Sequence, residues 1–485
     1  MIFIDFLGFV LLLLNFLIVF QLCSASLFFI WLVQLKEYRW DRLKTHFETL
    51  TGKRQLLDNF NLLKWPRTVF PRMTMRGILV LIIVFFSQYY IFFIFLEHLY
   101  SFFLIIPKTL LLASFLSFCF LLWLAPWLAV LGAAISKVIC FPWEWLVYKL
   151  ASNKLETAAN LKIVAIAGSY GKTATKEIIS FLLEENFQVL KTPLNCNTKL
   201  GISLFLLKNL EPKHQFLVVE MGAYKKGEIT SICNLIKPQI GLLTGINKQH
   251  LALFGSLKKI MAAKYELINC LPPEGLALFN GQDKQVLRLA AQCQQEKIIY
   301  GREKVVYKTG LVGNWHQQAI QAGLILGQRF QISKKKMISR LVKMKNFPLG
   351  LAVKEGKGGV TVIDDSYSAN PTGFLTALGF LNQQKGREKI LISPGIIELG
   401  KASVGIHQKI GRKAGQICDL IILTKVDFQQ PICQGVKKNR QPASVKVIEK
   451  PEDIMEKINK KLTKNNLVLL EGRQPAGLKQ ALLRK

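Results

Sequence analysis

The pattern of apolar and polar positions changes character near residue 145. Ahead of that point lie long uncharged runs. The first, "FLGFVLLLLNFLIVFQLCSASLFFIWLVQL" over 6–35, has no charged residue in 30 positions, and about 20 apolar residues suffice for a bilayer-spanning helix. The second, over 77–96, stops at Glu97 and His98; the third, over 109–136, contains Pro126, which a helix bundle tolerates. The pattern predicts three transmembrane helices, at about 6–35, 77–96 and 109–136, within a membrane domain over 1–136. The first run is too long for the apolar stretch of a cleaved signal peptide, and it lacks a basic start. Residues 137–160 read as an amphipathic, aromatic-bearing linker.

After the linker the rhythm alternates. Short apolar runs ("KIVAIAG", "FQVL", "FLVVE", "IGLLT") are separated by helical patterns at Lys172–Glu185 and near 199–209 and 227–236. A second series follows Phe347: "GLAVKE", "GVTVIDD", "KILIS", "DLIILT", "SVKVIE" and "LVLLEG", with helices near 372–384, 403–416 and 452–463. Strands alternating with helices predict largely parallel sheets. The series divide into domains over 161–340 and 341–485.

Charge adds an orientation. The segment Lys36–Arg76 carries ten Lys/Arg against four Asp/Glu, whereas "EHLYSFFLIIPK" is nearly neutral. The positive-inside rule places loop 36–76 in the cytoplasm, the N-terminus outside, and everything after Ser136 inside, where ATP is. The net charge of +33 comes with no helix-turn-helix, zinc-finger or RNP-like pattern, so no nucleic-acid partner is expected. Runs such as "KKKMISRLVKMK" suit a solvated face near anionic lipid. Nine cysteines without a C-x-x-C pair fit reduced cytosolic thiols.

The chemistry starts at "IVAIAGSYGKTATKE", residues 163–177. A strand runs into Gly168, Ser169, Tyr170, Gly171, Lys172, Thr173 and Ala174, then a helix. Such a turn lets backbone N–H groups surround phosphate oxygens at a helix N-terminus. Lys172 would neutralise phosphate charge, and the Thr173 hydroxyl would hold Mg²⁺. The long form of this loop carries a further glycine, at the position of Ile166.

The shorter loop resembles that of the Mur ligase superfamily, closest to the branch that joins D-alanyl-D-alanine to a UDP-N-acetylmuramoyl-tripeptide. The likeness continues in order to the C-terminus. It includes "TPLNCNTKLG" (Asn195, Asn197), "FLVVE" (Glu220), "NKQHLALFGS" (His250), "AKYE" (Lys264), "FNGQD" (Asn280, Asp283), "DDSYSANP" (Asp364, Asp365, Tyr367, Asn370), "IIELG" (Glu398) with His407, and "LLEGRQP" (Arg473). The resemblance implies a P-loop ATPase-type, mostly parallel α/β domain, then a smaller Rossmann-like C-terminal domain. It implies ATP and Mg²⁺ as cofactors. Lys172, His250 and Lys264 would be catalytic, and Thr173, Glu220, His250 and a carbamylated Lys264 would hold metal. Residues 168–174 with Asn280, Asp364, Asp365, Tyr367 and Asn370 would bind ATP. Asn195, Asn197, Glu398, His407 and Arg473 would bind substrate.

Four features depart from the family pattern. Trp315, His316 and Ala319 stand where His, Asn and Asn are usual, and Ser368 replaces an Asn. Gly350-Leu351 replaces a Gly-Arg whose arginine helps hold phosphate, leaving Lys345 or Lys354 as substitutes. A membrane segment stands in place of a UDP-sugar-binding domain. The expected activity is ATP-dependent amide formation in peptidoglycan precursor synthesis at the bacterial cytoplasmic membrane. UDP-N-acetylmuramoyl-tripeptide and D-Ala-D-Ala would be substrates, the lipid bilayer a partner, and other membrane cell-wall enzymes candidate partners. A membrane-anchored poly-glutamate ligase and a non-catalytic nucleotide-binding scaffold are the alternatives. An ATP-driven pump is disfavoured because the apolar runs lack the charges that mark transport paths.

Overall fold

The computed structural model describes residues 6–61, 69–102, 107–158, 160–311, 316–344, 351–367, 369–384, 388–440 and 442–483. Trp315, Lys345, Gly350 and Ser368 lie outside them. The chain divides into two compact units, Met1–Trp145 and Leu146–Lys485.

Among the described residues, three helices are long and apolar enough to cross a membrane: Phe6–Leu35, Met75–Phe102 and Pro107–Glu156. The third runs 20 residues past Ser136, so 137–156 of the segment read as a linker continues the same helix. Pro126 and Pro142 lie inside this helix. Past Pro142, "WEWLVYKLASNKLE" is dominated by helix-favouring residues and contains no glycine to end the helix.

Within the first unit, fully buried Ala25, Ile30, Val80, Val84, Ala125 and Ala129 lie where the helices meet. Small side chains there let backbones approach closely, the main source of association where lipid is as apolar as the side chains. Polar pairs help join the helices: Gln88 Nε2 donates to Ser26 Oγ at 2.8 Å, and Ser114 Oγ donates to Asn15 Oδ1 at 2.8 Å. The basic loop holds two short helices, Trp40–Phe47 and Leu50–Phe60, the second capped by Thr49. Part of its positive charge is already engaged. Arg39 pairs with Asp41 and Arg42 with Glu37, each at 2.7 Å. Arg76 donates to Ser136 Oγ and Ala133 O and lies 4.1 Å above the Tyr38 ring.

The second unit holds two six-stranded sheets. The first comprises β1 (Lys162–Ala167), β2 (Val189–Lys191), β3 (Phe216–Glu220), β4 (Ile240–Leu243), β5 (Leu276–Asn280) and β6 (Glu296–Tyr300). Its order is β2-β3-β1-β4-β5-β6, every pairing parallel. Helices cover both faces, so β3, β4 and β5 are buried at every position and read as unbroken apolar runs rather than alternating ones. The chain leaves β1 toward β2 and β3, then crosses to β4 on the other side. Such a switch point opens a crevice at the C-terminal strand ends.

The second sheet comprises β7 (Ala352–Glu355), β8 (Thr361–Asp365), β9 (Glu388–Ser393), β10 (Leu420–Leu423), β11 (Ser444–Val447) and β12 (Asn466–Glu471), ordered β11-β10-β9-β12-β8-β7. Only the edge strand β7 is antiparallel. Inserting β12 between β8 and β9 sets Glu471 beside Asp365.

Candidate active site

The phosphate-type loop explains its own irregularity. Ile166 is fully buried in β1 and registered against Glu220 of β3 and Leu242 of β4. The strand therefore continues through the position of the missing glycine, and the loop starts at Gly168. A Cβ on Gly168 would lie 2.1 Å from Thr244 Oγ1. Gly171 takes φ +79°, a conformation glycine adopts without steric cost, and caps the helix Lys172–Leu183. Thr244, just past β4, donates to Tyr170 O at 2.5 Å, and Tyr170 Oη donates to Asp283 at 2.8 Å. Asp283 also accepts from Ile246 N–H and caps its own helix, so its burial is fully compensated.

Around the loop lies a cleft of about 810 Å³. On its first wall, Glu220 ends β3 with 8% exposure. Thr173 Oγ1 donates to Glu220 Oε2 at 2.8 Å, and Lys172 Nζ stands 4.0 Å from Oε1. Thr173 and Glu220 offer hard oxygen donors, which suit Mg²⁺ arriving with phosphate oxygens and water. Among the described residues no group of three or more His, Cys, Asp or Glu is disposed to hold a metal ion by itself. The donor set fits a nucleotide-borne cation.

Lys264 lines the same cleft with 4% exposure, its Nζ donating to Ala223 O at 3.2 Å. Burial, reinforced by Lys172, holds its amine down at about 7. A neutral amine is the nucleophilic form that adds CO₂, and only the resulting carbamate would present oxygens to a cation. His250 also lines the cleft. Its Nδ1–H donates to Glu398 Oε2 at 2.5 Å, and its ring meets Tyr224 edge-on at 4.8 Å.

The second sheet supplies the opposite wall. Asp365, Tyr367, Asn370 and Arg473 all line the cleft. Asn370 caps the helix Pro371–Gln383 and accepts from Asn247 Nδ2 at 2.9 Å across the cleft. Tyr367 Oη donates to Asn195 Oδ1, and Asn197 packs against Gly222. Beside Asp365, Glu471 is fully buried. Burial pushes both carboxyls up, Asp365 to about 6 and Glu471 well above its ordinary value, and the neighbouring charge of Asp365 raises Glu471 further.

Three expected site residues, Asp364, Glu398 and His407, do not line the cleft. Asp364 pairs with Lys354 at 2.9 Å and Lys479 at 2.7 Å, which hold its carboxyl down at about 2 against the opposing effect of burial. Lys354 is thereby engaged too, whereas Arg473 and Leu351 of the C-terminal domain both line the cleft. His407 is fully buried: Nε2 accepts from Ile396 N–H at 3.0 Å, Nδ1–H donates to Ser403 O at 2.8 Å, and the ring stacks on Phe428 at 4.1 Å. Burial lowers its pKa to about 4 and keeps it neutral, so it braces the loop after β9. Thr244, Tyr224, Gln249 and Glu471 were not singled out in the sequence. Only Glu471 carried a visible signal, an acid ending an apolar strand.

Residues 166–338 match the Mur ligase middle domain and 351–474 the Mur ligase glutamate ligase domain. The chain is 30% identical over 271 residues to the UDP-N-acetylmuramoyl-tripeptide–D-alanyl-D-alanine ligase of Synechocystis, covering 52% of this chain and 59% of that protein. It is 25% identical over 334 residues to the ligase of the same name from Bacillus subtilis, covering 64% and 72%. It thus spans roughly three-fifths to three-quarters of the length of these relatives. In structure it is similar to the MurF ligase from Thermotoga maritima in complex with ADP, with a TM-score of 0.61, 25% identity, and coverage of 70% of this chain and 82% of that one. The matched stretches cover both α/β domains, and the chain belongs to the Mur ligase family.

Proposed function

We propose that the protein joins D-Ala-D-Ala, or a closely similar amine, to the terminal carboxylate of a muramoyl-peptide at the cytoplasmic face of a bacterial membrane. The observation that carries this reading is the convergence of Lys172, Thr173, Glu220, His250 and Lys264 on one wall of a cleft whose other wall brings Asp365, Tyr367, Asn370 and Arg473. ATP is needed because a carboxylate is a poor acylating agent. A peptide carboxylate oxygen attacks the γ-phosphorus and ADP leaves. The amine then attacks the acyl carbon, loses a proton, and phosphate departs with its oxygen.

The protein's part is to hold and neutralise charge. Backbone N–H groups of 168–173 and Lys172 cradle the phosphates. Thr173 and Glu220 would hold Mg²⁺, which supplies charge neutralisation on the transferring phosphoryl group. Lys264 bonds through nitrogen to CO₂ and releases one proton, turning a potential cation into a carbamate. Arg473 takes the part of the arginine that Leu351 replaces. The three apolar helices would tether the chain to the membrane.

Phosphate release by the detergent-solubilised full chain tests this, with ATP, Mg²⁺ and a muramoyl-tripeptide, in nucleotide-linked and in lipid-linked form. Release is expected only when D-Ala-D-Ala is also present, with a pentapeptide product by mass. Lys172→Ala should reduce the rate by at least ~10²-fold, the scale for removing one group that stabilises transition-state charge. Release that never depends on the amine would reject the ligation.

A further inference from the structure

Two contacts made by Glu398 cross the cleft in the second unit. Its carboxylate accepts the Nδ1–H of His250, and its backbone oxygen accepts the Ala252 N–H at 3.0 Å. The loop carrying it follows β9 of the second sheet, whereas His250 and Ala252 follow β4 of the first. The approach is close: a Cβ on Gly400 would lie 3.2 Å from Ala252 Cα. Both partners also have left-handed backbones, His250 at φ +59° and Glu398 at φ +64°. Side-chain-bearing residues take that conformation at a cost, and persist in it where surrounding contacts fix them.

We infer that Glu398 is a positioning residue for His250, and that this two-point clasp makes the His250 side of the cleft competent only while the two α/β domains are in contact. The inference rests on the reading that His250 serves phosphate and metal. An imidazole has two nitrogens, and the partner of one decides the tautomer and ring direction of the other. Glu398 engages Nδ1, so His250 serves the cleft through Nε2. The carboxylate comes from the opposite domain and is 8% exposed. Separating the domains removes the orienting group along with the second wall. Glu398 therefore acts through His250 rather than by touching the acceptor peptide, as its place in the family motif had implied.

The test compares wild type, Glu398→Ala and Glu398→Gln in the full chain in detergent. Loss of a carboxylate behind a metal-binding histidine typically costs 10–100-fold. Glu398→Ala should raise the Mg²⁺ concentration for half-maximal phosphate release by roughly 10–100-fold and lower kcat, with the KM for ATP unchanged. Glu398→Gln keeps an acceptor for Nδ1–H and should restore part of the loss. Hydrogen exchange should quicken in peptides covering 250–254 and 396–400 of the Ala variant, while those covering 162–167 stay as in wild type. Equal Mg²⁺ midpoints in wild type and Glu398→Ala would overturn the proposal. If the Ala variant does not fold, the Gln variant decides. A Mg²⁺ midpoint raised above wild type with the KM for ATP unchanged supports orientation by the carboxylate, and a midpoint equal to wild type, or a loss of ATP affinity alone, overturns it. Should wild type release no phosphate at all, the ligase reading fails separately. Mn²⁺ binding with ADP, read by electron paramagnetic resonance, then carries the test: affinity weakened about tenfold or more in Glu398→Ala supports the clasp, and equal affinity overturns it.

Discussion

Glu471 shows how one residue can set a pH limit. It is fully buried beside Asp365, and burial holds its carboxyl above the ordinary 4.5. Between 4.5 and its folded value, the native state keeps a proton that the unfolded chain releases. Stability must therefore fall as pH rises through that window, by at most about 1.4 kcal/mol per pH unit for one group. Glu471→Gln, neutral at every pH, should flatten the alkaline side of a denaturation-midpoint profile; an unchanged slope would place the proton elsewhere. His407 makes a complementary prediction. Its two hydrogen bonds and its stack on Phe428 are internal to the C-terminal domain, so His407→Ala should cost roughly 2–4 kcal/mol in stability. The KM for ATP of the folded fraction should stay where it was. A raised KM with unchanged melting would return His407 to the binding site.

At the scale of elements, the helix Pro371–Gln383 depends on Asn370 twice. The side chain accepts from Thr372 and Gly373 N–H groups at the helix start, and also from Asn247 across the cleft. Asn370→Ala should cost about 1 kcal/mol as a lost cap and weaken nucleotide binding besides, measurable by thermal melting with and without ADP. A cap role alone would leave the ADP-induced rise in Tm intact. Much of this level was legible in the sequence. Buried parallel strands show as apolar runs, and Gly171 and Asn370 mark helix starts. The direction of a side chain was not legible. Asp364 and Asp365 are neighbours at a strand end, yet one turns to Lys354 and Lys479 and the other lines the cleft. Alternation along a strand sends them to opposite faces, and only tertiary packing decides which face holds the cleft. The same gap misplaced His407. The third long helix runs on past its apolar stretch because the residues after Pro142 are helix formers that carry it to Glu156.

At the scale of the molecule, two compact units of different composition share one chain. Three helices of spanning length predict that the protein stays with the membrane fraction through an alkaline carbonate wash; release into the supernatant would reject integral insertion. Attachment alone would need one such helix. Helix Phe6–Leu35 does more, because Ser26 meets Gln88 of the second long helix while Asn15 meets Ser114 of the third. Amides are costly in lipid unless paired, so these contacts discriminate among rotations and depths that a featureless apolar rod would treat as equal. Replacing 6–35 with a plain leucine span should therefore leave an anchored chain whose remaining two helices have lost a shared reference, detectable as faster proteolysis of the 36–76 segment. The first helix is then a template for its neighbours as much as a tether.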